Sequence, residues 1–294
     1  MVRRRWAAVL LGLALALLAG CTGLIFHPMR EHALTPDRIG LVHRDVGFEA
    51  EDGVALHGWF LPAAGDEAAA GSVLFLHGNA ENVSTHIASV FWLPAAGFNV
   101  LLPDYRGYGL SEGSPSLPGL HLDVAAALDA LMAMPEVDPD RVAVFGQSLG
   151  GALAVTALAS ASPERRERVR ALVVEGAPTS YRALAREILA GFWPTWPLQV
   201  PLSYTIDDRY RAVDVIADIS PVPVLIVHGL ADAVVPPHHG RALFAAAREP
   251  KALWLLPETG HNLAFATAGN RHRLVDFLRG ALGARDAGPP PAPG

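Results

Sequence analysis

Two serines of this 294-residue chain lie in the pattern Gly-x-Ser-x-Gly, which surrounds the nucleophilic serine of many hydrolases. Ser111 lies in GLSEG, at residues 109–113, and Ser148 lies in GQSLG, at residues 146–150. A serine hydroxyl attacks an acyl carbon effectively only when a base takes its proton and an acid orients that base. The chain must therefore supply a histidine and a carboxylate beside one of these two serines.

The segments around each serine distinguish the two. Ser148 follows the apolar run RVAVF and precedes GALAVTALAS, which predict a strand before the serine and a helix after it. Such a strand-turn-helix lifts the hydroxyl above the edge of a sheet. Ser111 also follows a strand, but the segment EGSPSLPG contains two prolines and two glycines and predicts no helix. We predict that Ser148 is the nucleophile and that Ser111 is a loop hydroxyl.

Asp232 and His261 are the predicted acid and base. Asp232 lies in the loop after the strand-like run PVLIVHG, and His261 lies in the loop after ALWLL. Because the carboxyl ends of parallel strands meet at one edge of a sheet, both side chains are expected at the same edge as Ser148. Glu175, at the end of the run RALVVEG, remains an alternative acid.

Three other histidines follow Asp232 in the sequence, and surface positions are predicted for all of them. His238 and His239 follow a pair of prolines at a predicted helix start, and His272 lies in an amphipathic helix. His238 and His239 are also predicted to form a poor pair of metal ligands, because the side chains of adjacent residues point apart.

Two backbone amides are predicted to stabilise the oxyanion of the tetrahedral intermediate. The amide of Leu149 lies at the start of the helix after Ser148, and the amide of Asn79 lies in the sharp turn of FLHGNAENV. Removing one such donor typically lowers the rate by about 10²- to 10³-fold. His77, which precedes the nucleophile in the sequence, is predicted to brace this turn.

A mostly parallel sheet with helices on both faces would bring these residues to one edge. We predict such a sheet, with about eight strands. The predicted strands are residues 41–50 and 54–61, which form a hairpin, followed by 72–77, 98–102, 141–146, 170–176, 223–229 and 252–256. The predicted helices are residues 82–95, 117–134, 148–160, 180–190, 237–248 and 269–282.

The interval after the sixth strand, at about residues 178–220, is predicted to be an insertion. Prolines at positions 194, 197 and 201 exclude a long continuous helix there. Such an insertion at the carboxyl edge of the sheet suits a lid or a substrate-facing loop. Four apolar residues of this interval form an apolar lip over the site, rest on lipid or pack in the core: Trp193, Trp196, Leu198 and Leu202.

With these positions assigned, the sequence resembles the α/β-hydrolase superfamily. More narrowly, it is similar to membrane-associated serine hydrolases that combine an H-G-N-A turn, here residues 77–80, with a D-Y-R-G-Y-G-x-S-E-G loop, here residues 104–113. F-H-P near residue 27 and E-D-G-V-x-L-x-G-W in the first hairpin extend the resemblance. It implies hydrolysis of an acyl ester, a thioester or an amide without a metal or organic cofactor.

The resemblance does not select a substrate, because such relatives include lysophospholipid lipases, monoacylglycerol lipases and protein depalmitoylating thioesterases. A small-molecule acyl ester or thioester, including a lipid, is the expected partner. Two alternatives stay open: a serine peptidase of the prolyl-oligopeptidase type, and a catalytically inactive, membrane-tethered binding module.

The first 21 residues have the layout of a secretory signal followed by a lipidation site. Three arginines precede a long apolar run that ends in LAGC, at residues 18–21, which resembles the lipobox of bacterial lipoproteins. We predict a signal peptide at residues 1–20 and lipidation of Cys21, which would anchor the protein in the bacterial cell envelope, facing away from the cytoplasm. The alternative is a signal anchor, because residues 6–26 are long enough to span a bilayer.

Composition bounds the remaining organisation. Residues 21–40 are predicted to be the lipidated N-terminus and a connecting segment, residues 41–283 the hydrolase domain, and the Pro- and Gly-rich residues 284–294 a disordered tail. The net charge is −6, from 23 Lys and Arg against 29 Asp and Glu, without a basic stripe. Nucleic acid is therefore not an expected partner, because phosphate binding needs clustered positive charge.

Overall fold

The computed structural model, which describes residues 26–65, 67–191 and 193–283, is built around one eight-stranded sheet. The strands are β1 (His27–Pro28), β2 (Arg44–Glu49), β3 (Ala55–Leu61), β4 (Gly71–Leu76), β5 (Ala80–Glu81), β6 (Phe98–Asp104), β7 (Val142–Gln147), β8 (Val169–Glu175), β9 (Val224–Gly229) and β10 (Lys251–Leu256). Across the main sheet the order is β10-β9-β8-β7-β4-β6-β3-β2, while β1 and β5 pair separately. Only β2 with β3 and β3 with β6 are antiparallel in this sheet, which confirms the predicted, mostly parallel arrangement.

Helices cover both faces of the sheet, as predicted. The α-helices in the described residues are α1 (Val83–His86), α2 (Leu117–Met132), α3 (Leu149–Ser160), α4 (Pro163–Arg168), α5 (Tyr181–Gly191), α6 (Gln199–Ser203), α7 (Ala212–Val215), α8 (His238–Ala246) and α9 (Ala268–Gly283). The buried side chains of α2, α3, α7 and α8 join one hydrophobic core, and those of α1 and α9 join the other.

Strand β4 illustrates why the sheet is buried on both faces. All of its residues are buried, and successive side chains point to opposite faces of a strand. Val73 and Phe75 therefore pack in the core beneath α9, whereas Leu74 and Leu76 pack in the core beneath α2 and α3. A continuous apolar run is what a parallel strand covered by helices on both sides requires.

The helix predicted at residues 82–95 is replaced by shorter pieces. Asn82 caps α1, with its side chain accepting a hydrogen bond from the amide of Ser84 at 3.0 Å. Helical turns of 3₁₀ type follow at Ile87–Ser89 and Pro94–Ala96. Between these turns Val90, with a φ of −135°, leaves the helical region of backbone conformation, so the helix does not continue.

The connection between β8 and β9 forms a helical cap over the carboxyl edge of the sheet. It contains α5, a 3₁₀ turn at Trp196–Leu198, α6, α7 and a second 3₁₀ turn at Ile216–Ile219. Among the residues that the structure describes, no helix is long and apolar enough to cross a bilayer. The predicted signal peptide, Cys21 and the C-terminal tail lie outside the described residues.

Candidate active site

Ser148 occupies the sharp turn between β7 and α3. Its φ of 54° and ψ of −115° lie where residues with a side chain are rarely found, a strain that is typical of functional sites. The turn needs small neighbours, because a Cβ at Gly146 would lie 2.3 Å from the carbonyl oxygen of Gly150. The amide of Ser148 donates to the carbonyl oxygen of Glu175 at 2.8 Å. The strand-turn-helix predicted from the sequence is therefore present.

Asp232 and His261 are brought together from two loops that are distant in sequence. The His261 Nδ1 lies 2.7 Å from the Asp232 Oδ2. The other carboxylate oxygen, Oδ1, accepts hydrogen bonds from the amides of Val234 at 2.9 Å and Val235 at 2.8 Å. Burial opposes ionisation of Asp232, but the hydrogen bonds from His261 and these amides outweigh it and hold the pKa of Asp232 below its usual range.

His261 and Ser148 both contact the end of strand β8. The His261 ring lies against Gly176, where an added Cβ would be 3.3 Å from Nδ1 and Cε1. Gly176 directly follows Glu175, whose carbonyl oxygen accepts from the Ser148 amide. Since Nδ1 of His261 faces Asp232, Nε2 is the ring nitrogen that is left to accept a proton.

Glu175, the alternative acid, is buried beneath the loop that carries His261. Its Oε1 accepts a hydrogen bond from the amide of Ala264 at 2.8 Å, and its Oε2 accepts one from Nε2 of Gln147 at 2.6 Å. Burial raises the pKa of Glu175. Both carboxylate oxygens thus accept hydrogen bonds from donors other than His261. Through the Ala264 amide, Glu175 holds the loop that carries His261 in place.

Asn79 and Leu149, the residues predicted to supply the oxyanion amides, line one cavity together with Ser148. The cavity has a volume of about 410 Å³. The first amides of a helix have no acceptor within the helix, so the start of α3 offers an N–H group beside the serine. The remaining lining is mostly apolar and comes from the cap and from the N-terminal segment: Phe26, His27, Pro178, Tyr181, Leu184, Ala185, Ile188, Leu189, Leu202, Thr205 and Ile206.

The turn that carries Asn79 is braced from beneath by the D-Y-R-G-Y-G loop. The Tyr108 hydroxyl donates to the Asn79 carbonyl oxygen at 2.8 Å, and the Tyr105 hydroxyl donates to the His77 carbonyl oxygen at 3.0 Å. His77 is fully buried, and its Nδ1 donates to the Gly78 carbonyl oxygen at 2.7 Å. Burial lowers the pKa of His77 to about 3, so the ring is neutral and braces the turn.

Ser111 does not line the cavity. Its buried hydroxyl donates to the carbonyl oxygen of Asp104 at 2.6 Å and accepts from the amide of His57 at 2.9 Å. These bonds connect the loop after β6 to strand β3. The hydroxyl is therefore occupied by structural hydrogen bonds at a distance from the predicted nucleophile.

The N-terminal segment contributes to the cavity in a way that the sequence analysis missed. Phe26 and His27 form part of its wall, and β1 pairs in parallel with β5, directly after the turn at Asn79. The Asn82 side chain donates to the carbonyl oxygen of Met29 at 3.0 Å. The motif F-H-P marks this segment in the sequence as part of the family resemblance, but the sequence predicts only a connecting segment there.

Two clusters within the described residues bring potential metal ligands together, and none of their residues lines the cavity. In the first, His32 Nε2 lies 2.8 Å and His57 Nδ1 lies 3.8 Å from Oδ2 of the buried Asp104. Burial opposes ionisation of Asp104, but the hydrogen bond from His32, the nearby His57 ring and a hydrogen bond from the Val83 amide at 3.0 Å hold its pKa at about 2. The cluster therefore stabilises the ionised form of a buried carboxylate.

The second cluster corrects the prediction for His238 and His239. Their rings stack with centroids 4.4 Å apart, and Nε2 of each faces the carboxylate of Glu187, at 3.1 Å and 3.2 Å. His239 is buried, so the predicted surface position is wrong for this residue, because rotation about the side-chain bonds turned adjacent rings to one side. The Thr179 amide donates to Nδ1 of His239 at 3.1 Å, which leaves the proton on Nε2 and disfavours a metal there.

Comparison with known proteins agrees with this fold. The family model for the alpha/beta hydrolase fold matches residues 71–196. The uncharacterized protein YfhR of Escherichia coli (strain K12) is 37% identical over 242 residues, covering 81% of each chain. The alpha/beta hydrolase domain-containing protein WAV2 of Arabidopsis thaliana is 35% identical over 235 residues, covering 77% of this chain and 74% of its own. The chain belongs to the α/β-hydrolase superfamily.

A solved structure gives the same result for the fold. An esterase of Pyrococcus furiosus superposes with a TM-score of 0.72 at 21% sequence identity, covering 88% of this chain and 99% of its own. At this level of identity the similarity concerns the fold.

Proposed function

We propose that this protein is a serine hydrolase that cleaves a carboxylic ester or thioester of an acyl substrate, with Ser148, His261 and Asp232 as its catalytic triad. The observation that carries the proposal is the 2.7 Å hydrogen bond between His261 and Asp232, above the strand end that also binds the Ser148 amide. This bond directs Nε2 of His261 away from the carboxylate. The esterase activity named for the P. furiosus structure is consistent with the proposal.

In the proposed acylation step, the Ser148 oxygen bonds to the acyl carbon while Nε2 of His261 takes the hydroxyl proton. The electrons of the carbonyl bond move to its oxygen, which accepts hydrogen bonds from the amides of Asn79 and Leu149. Asp232 stabilises the imidazolium and keeps its Nδ1 oriented. The intermediate then expels the alcohol or thiol, which takes the proton from His261.

Deacylation repeats these steps with water as the nucleophile. His261 accepts a proton from water as the water oxygen bonds to the acyl carbon. The second tetrahedral intermediate expels the Ser148 oxygen, which recovers its proton from His261, and a carboxylic acid leaves. The apolar side chains that line the 410 Å³ cavity suit the hydrocarbon part of the acyl group.

The two serines of the Gly-x-Ser-x-Gly pattern provide a matched test. We expect Ser148→Ala to lower the hydrolysis of p-nitrophenyl butyrate on the order of 10⁴-fold or more, and Ser111→Ala to retain most activity. A fluorophosphonate probe should label the parent and Ser111→Ala, and should not label Ser148→Ala. Equal activity of Ser148→Ala and the parent would refute the assignment.

The same experiments separate the alternatives. An unlabelled, inactive parent chain would indicate a tethered binding module. Faster cleavage of a peptide p-nitroanilide than of the ester would indicate a peptidase. Chelation with EDTA should leave the rate unchanged, because the proposed steps use neither a metal nor an organic cofactor.

We also propose that Cys21 carries lipid and anchors the protein in a bacterial cell envelope, facing away from the cytoplasm. The support is the sequence of residues 1–21, a basic start and an apolar run ending in LAGC. Metabolic labelling with an alkyne fatty acid should mark the parent and leave Cys21→Ala unmarked. Unlabelled but membrane-bound chains of both kinds would instead support the signal anchor.

A further inference from the structure

The helical cap exposes an uncharged, apolar surface. We call residues 188–191 and 193–206 the cap surface; no Asp, Glu, Lys or Arg occurs between Glu187 and Asp207. Of the fourteen large apolar side chains that are exposed in the described residues, seven belong to it. They are Ile188, Trp193, Trp196, Leu198, Val200, Leu202 and Tyr204. Trp193 is 83% exposed and Trp196 is 60% exposed, so neither packs in the core.

The cap surface is continuous with the cavity that contains Ser148. Ile188 and Leu202 are exposed to 59% and 39%, and both also line the cavity. Their neighbours Leu189 and Ile206 line it as well. The apolar exterior of the cap and the apolar interior of the cavity therefore share Ile188 and Leu202.

The first described residues of the N-terminal segment lie at this same cavity. Phe26 and His27 line the cavity together with residues of the cap, and the pairing of β1 with β5 fixes the position of this segment on the domain. The Gly109 amide donates to the carbonyl oxygen of Met29 at 2.9 Å, which adds a second attachment. Any tether that precedes Phe26 must leave the domain beside the cavity.

The length of that tether limits how the domain can turn. Cys21 precedes Phe26 by five residues, which can span at most about 18 Å when fully extended. A folded domain of roughly 260 residues has a diameter of about 45 Å. If Cys21 is held at a bilayer, the side of the domain that carries Phe26 must face the lipid, because the tether is too short to reach around the domain.

The electrostatics favour an apolar contact with the bilayer. The net charge of −6 repels anionic headgroups, and the cap surface itself is uncharged. Trp and Tyr side chains favour the interface between headgroups and hydrocarbon. The cap surface exposes such side chains, including Trp193 and Tyr204. Contact with lipid through this surface should therefore not require anionic lipids.

We propose that the cap surface and the mouth of the cavity rest on the lipid bilayer, so that acyl lipids pass from the membrane directly to Ser148. The proposal rests on the hydrolase function and on the Cys21 anchor proposed above. It assigns the exposed tryptophans a docking role and specifies membrane-resident acyl lipids as the substrate class.

The orientation can be measured without any assay of hydrolysis. Cys21 is the sole cysteine and is blocked when lipidated, so a cysteine introduced elsewhere into the full chain gives a single labelling site. Trp193→Cys places a fluorophore on the cap surface. Ala133→Cys, at the exposed end of α2 before β7, places it at the opposite, amino edge of the sheet. The parent chain serves as the blank that should take up no label.

In phosphatidylcholine vesicles that contain a nitroxide-labelled lipid, we expect quenching at position 193 at least fivefold stronger than at position 133. Equal quenching at the two positions would overturn the proposed orientation. Failure of the parent to float with the vesicles, or labelling of the parent, would overturn it as well by removing the anchor.

Activity supplies a second, independent measurement. The double variant Trp193→Ala, Trp196→Ala should lower hydrolysis of a long-chain fluorogenic ester embedded in the vesicles by at least tenfold. Neither tryptophan lines the cavity, so hydrolysis of water-soluble p-nitrophenyl butyrate should remain within twofold of the parent. An unchanged rate on the embedded ester would contradict docking. Absence of hydrolysis of either ester by the parent would instead refute the proposed function.

Discussion

Replacing Asp232 by asparagine tests which buried carboxylate serves His261. Oδ1 of Asp232 accepts hydrogen bonds from two backbone amides, those of Val234 and Val235. An asparagine must therefore keep its carbonyl oxygen at that position, and its NH₂ group would face Nδ1 of His261. Nδ1 can accept from this group only when the ring proton is on Nε2. His261 could then no longer take the proton of Ser148.

The expected loss follows from this wrong tautomer. Fixing the base in its inactive form typically lowers kcat by about 10³- to 10⁴-fold, equivalent to about 4–5 kcal/mol of transition-state stabilisation. Glu175→Gln is the matched control. Its carbonyl oxygen can still accept from the Ala264 amide, and its NH₂ group would face Gln147, whose Oε1 makes no hydrogen bond to the described residues. Rotation of the Gln147 amide supplies the acceptor, so we expect Glu175→Gln to stay within about tenfold of the parent.

The assay is kcat/KM for p-nitrophenyl butyrate from pH 6 to pH 9, with thermal melts to verify folding. An activity loss in Glu175→Gln as large as that in Asp232→Asn, with both variants folded, would contradict Asp232 as the acid. Asp232→Asn with more than a tenth of the parental kcat/KM would contradict it as well.

Three further predictions concern stability, pH and chain length. Ser111→Ala should retain most activity, but its free energy of unfolding in urea should be about 1–3 kcal/mol lower than that of the parent, because the His57 amide loses its acceptor. An activity loss equal to that of Ser148→Ala would reverse the choice of serine. The pKa of Asp104 is about 2 in the folded chain and 3.8 when unperturbed, so its stabilisation is present above pH 4 and declines toward pH 2. Between pH 4 and pH 2, the free energy of unfolding of the parent should fall by about 2 kcal/mol more than that of Asp104→Asn, as measured by urea unfolding. Equal decreases in the two proteins would contradict this. Leu184→Trp fills part of the cavity and should lower the dodecanoate-to-butyrate rate ratio at least tenfold, and an unchanged ratio would exclude the cavity as the acyl site.

Local sequence patterns predicted the fold because each element carries its own signal. Eight apolar runs with turn residues between them correspond to the eight strands of the main sheet, and the order of strands and helices implied a mostly parallel arrangement. The helix predicted at residues 82–95 was wrong, because the α-helical part ends at His86 and only two short 3₁₀ turns follow.

The residues proposed for catalysis were predicted from the sequence because strand ends share an edge. Ser148, Asp232 and His261 each follow a strand, so the topology alone places their loops together. The sequence favours Asp232 as the acid but keeps Glu175 as an alternative, because both follow strands. Only the packed structure shows Glu175 bound to Gln147 and Ala264 while Asp232 contacts His261.

The sequence by itself determined the order of the elements, the turn at Ser148 and the chemical types of the site residues, since these depend on patterns within short segments. Only the tertiary structure decided the use of each polar group and the composition of the cavity. Phe26 and the cap meet across the site although more than 150 residues separate them, and His239 is buried against Glu187. Such contacts depend on packing between segments that are far apart in the chain, and no local period encodes them.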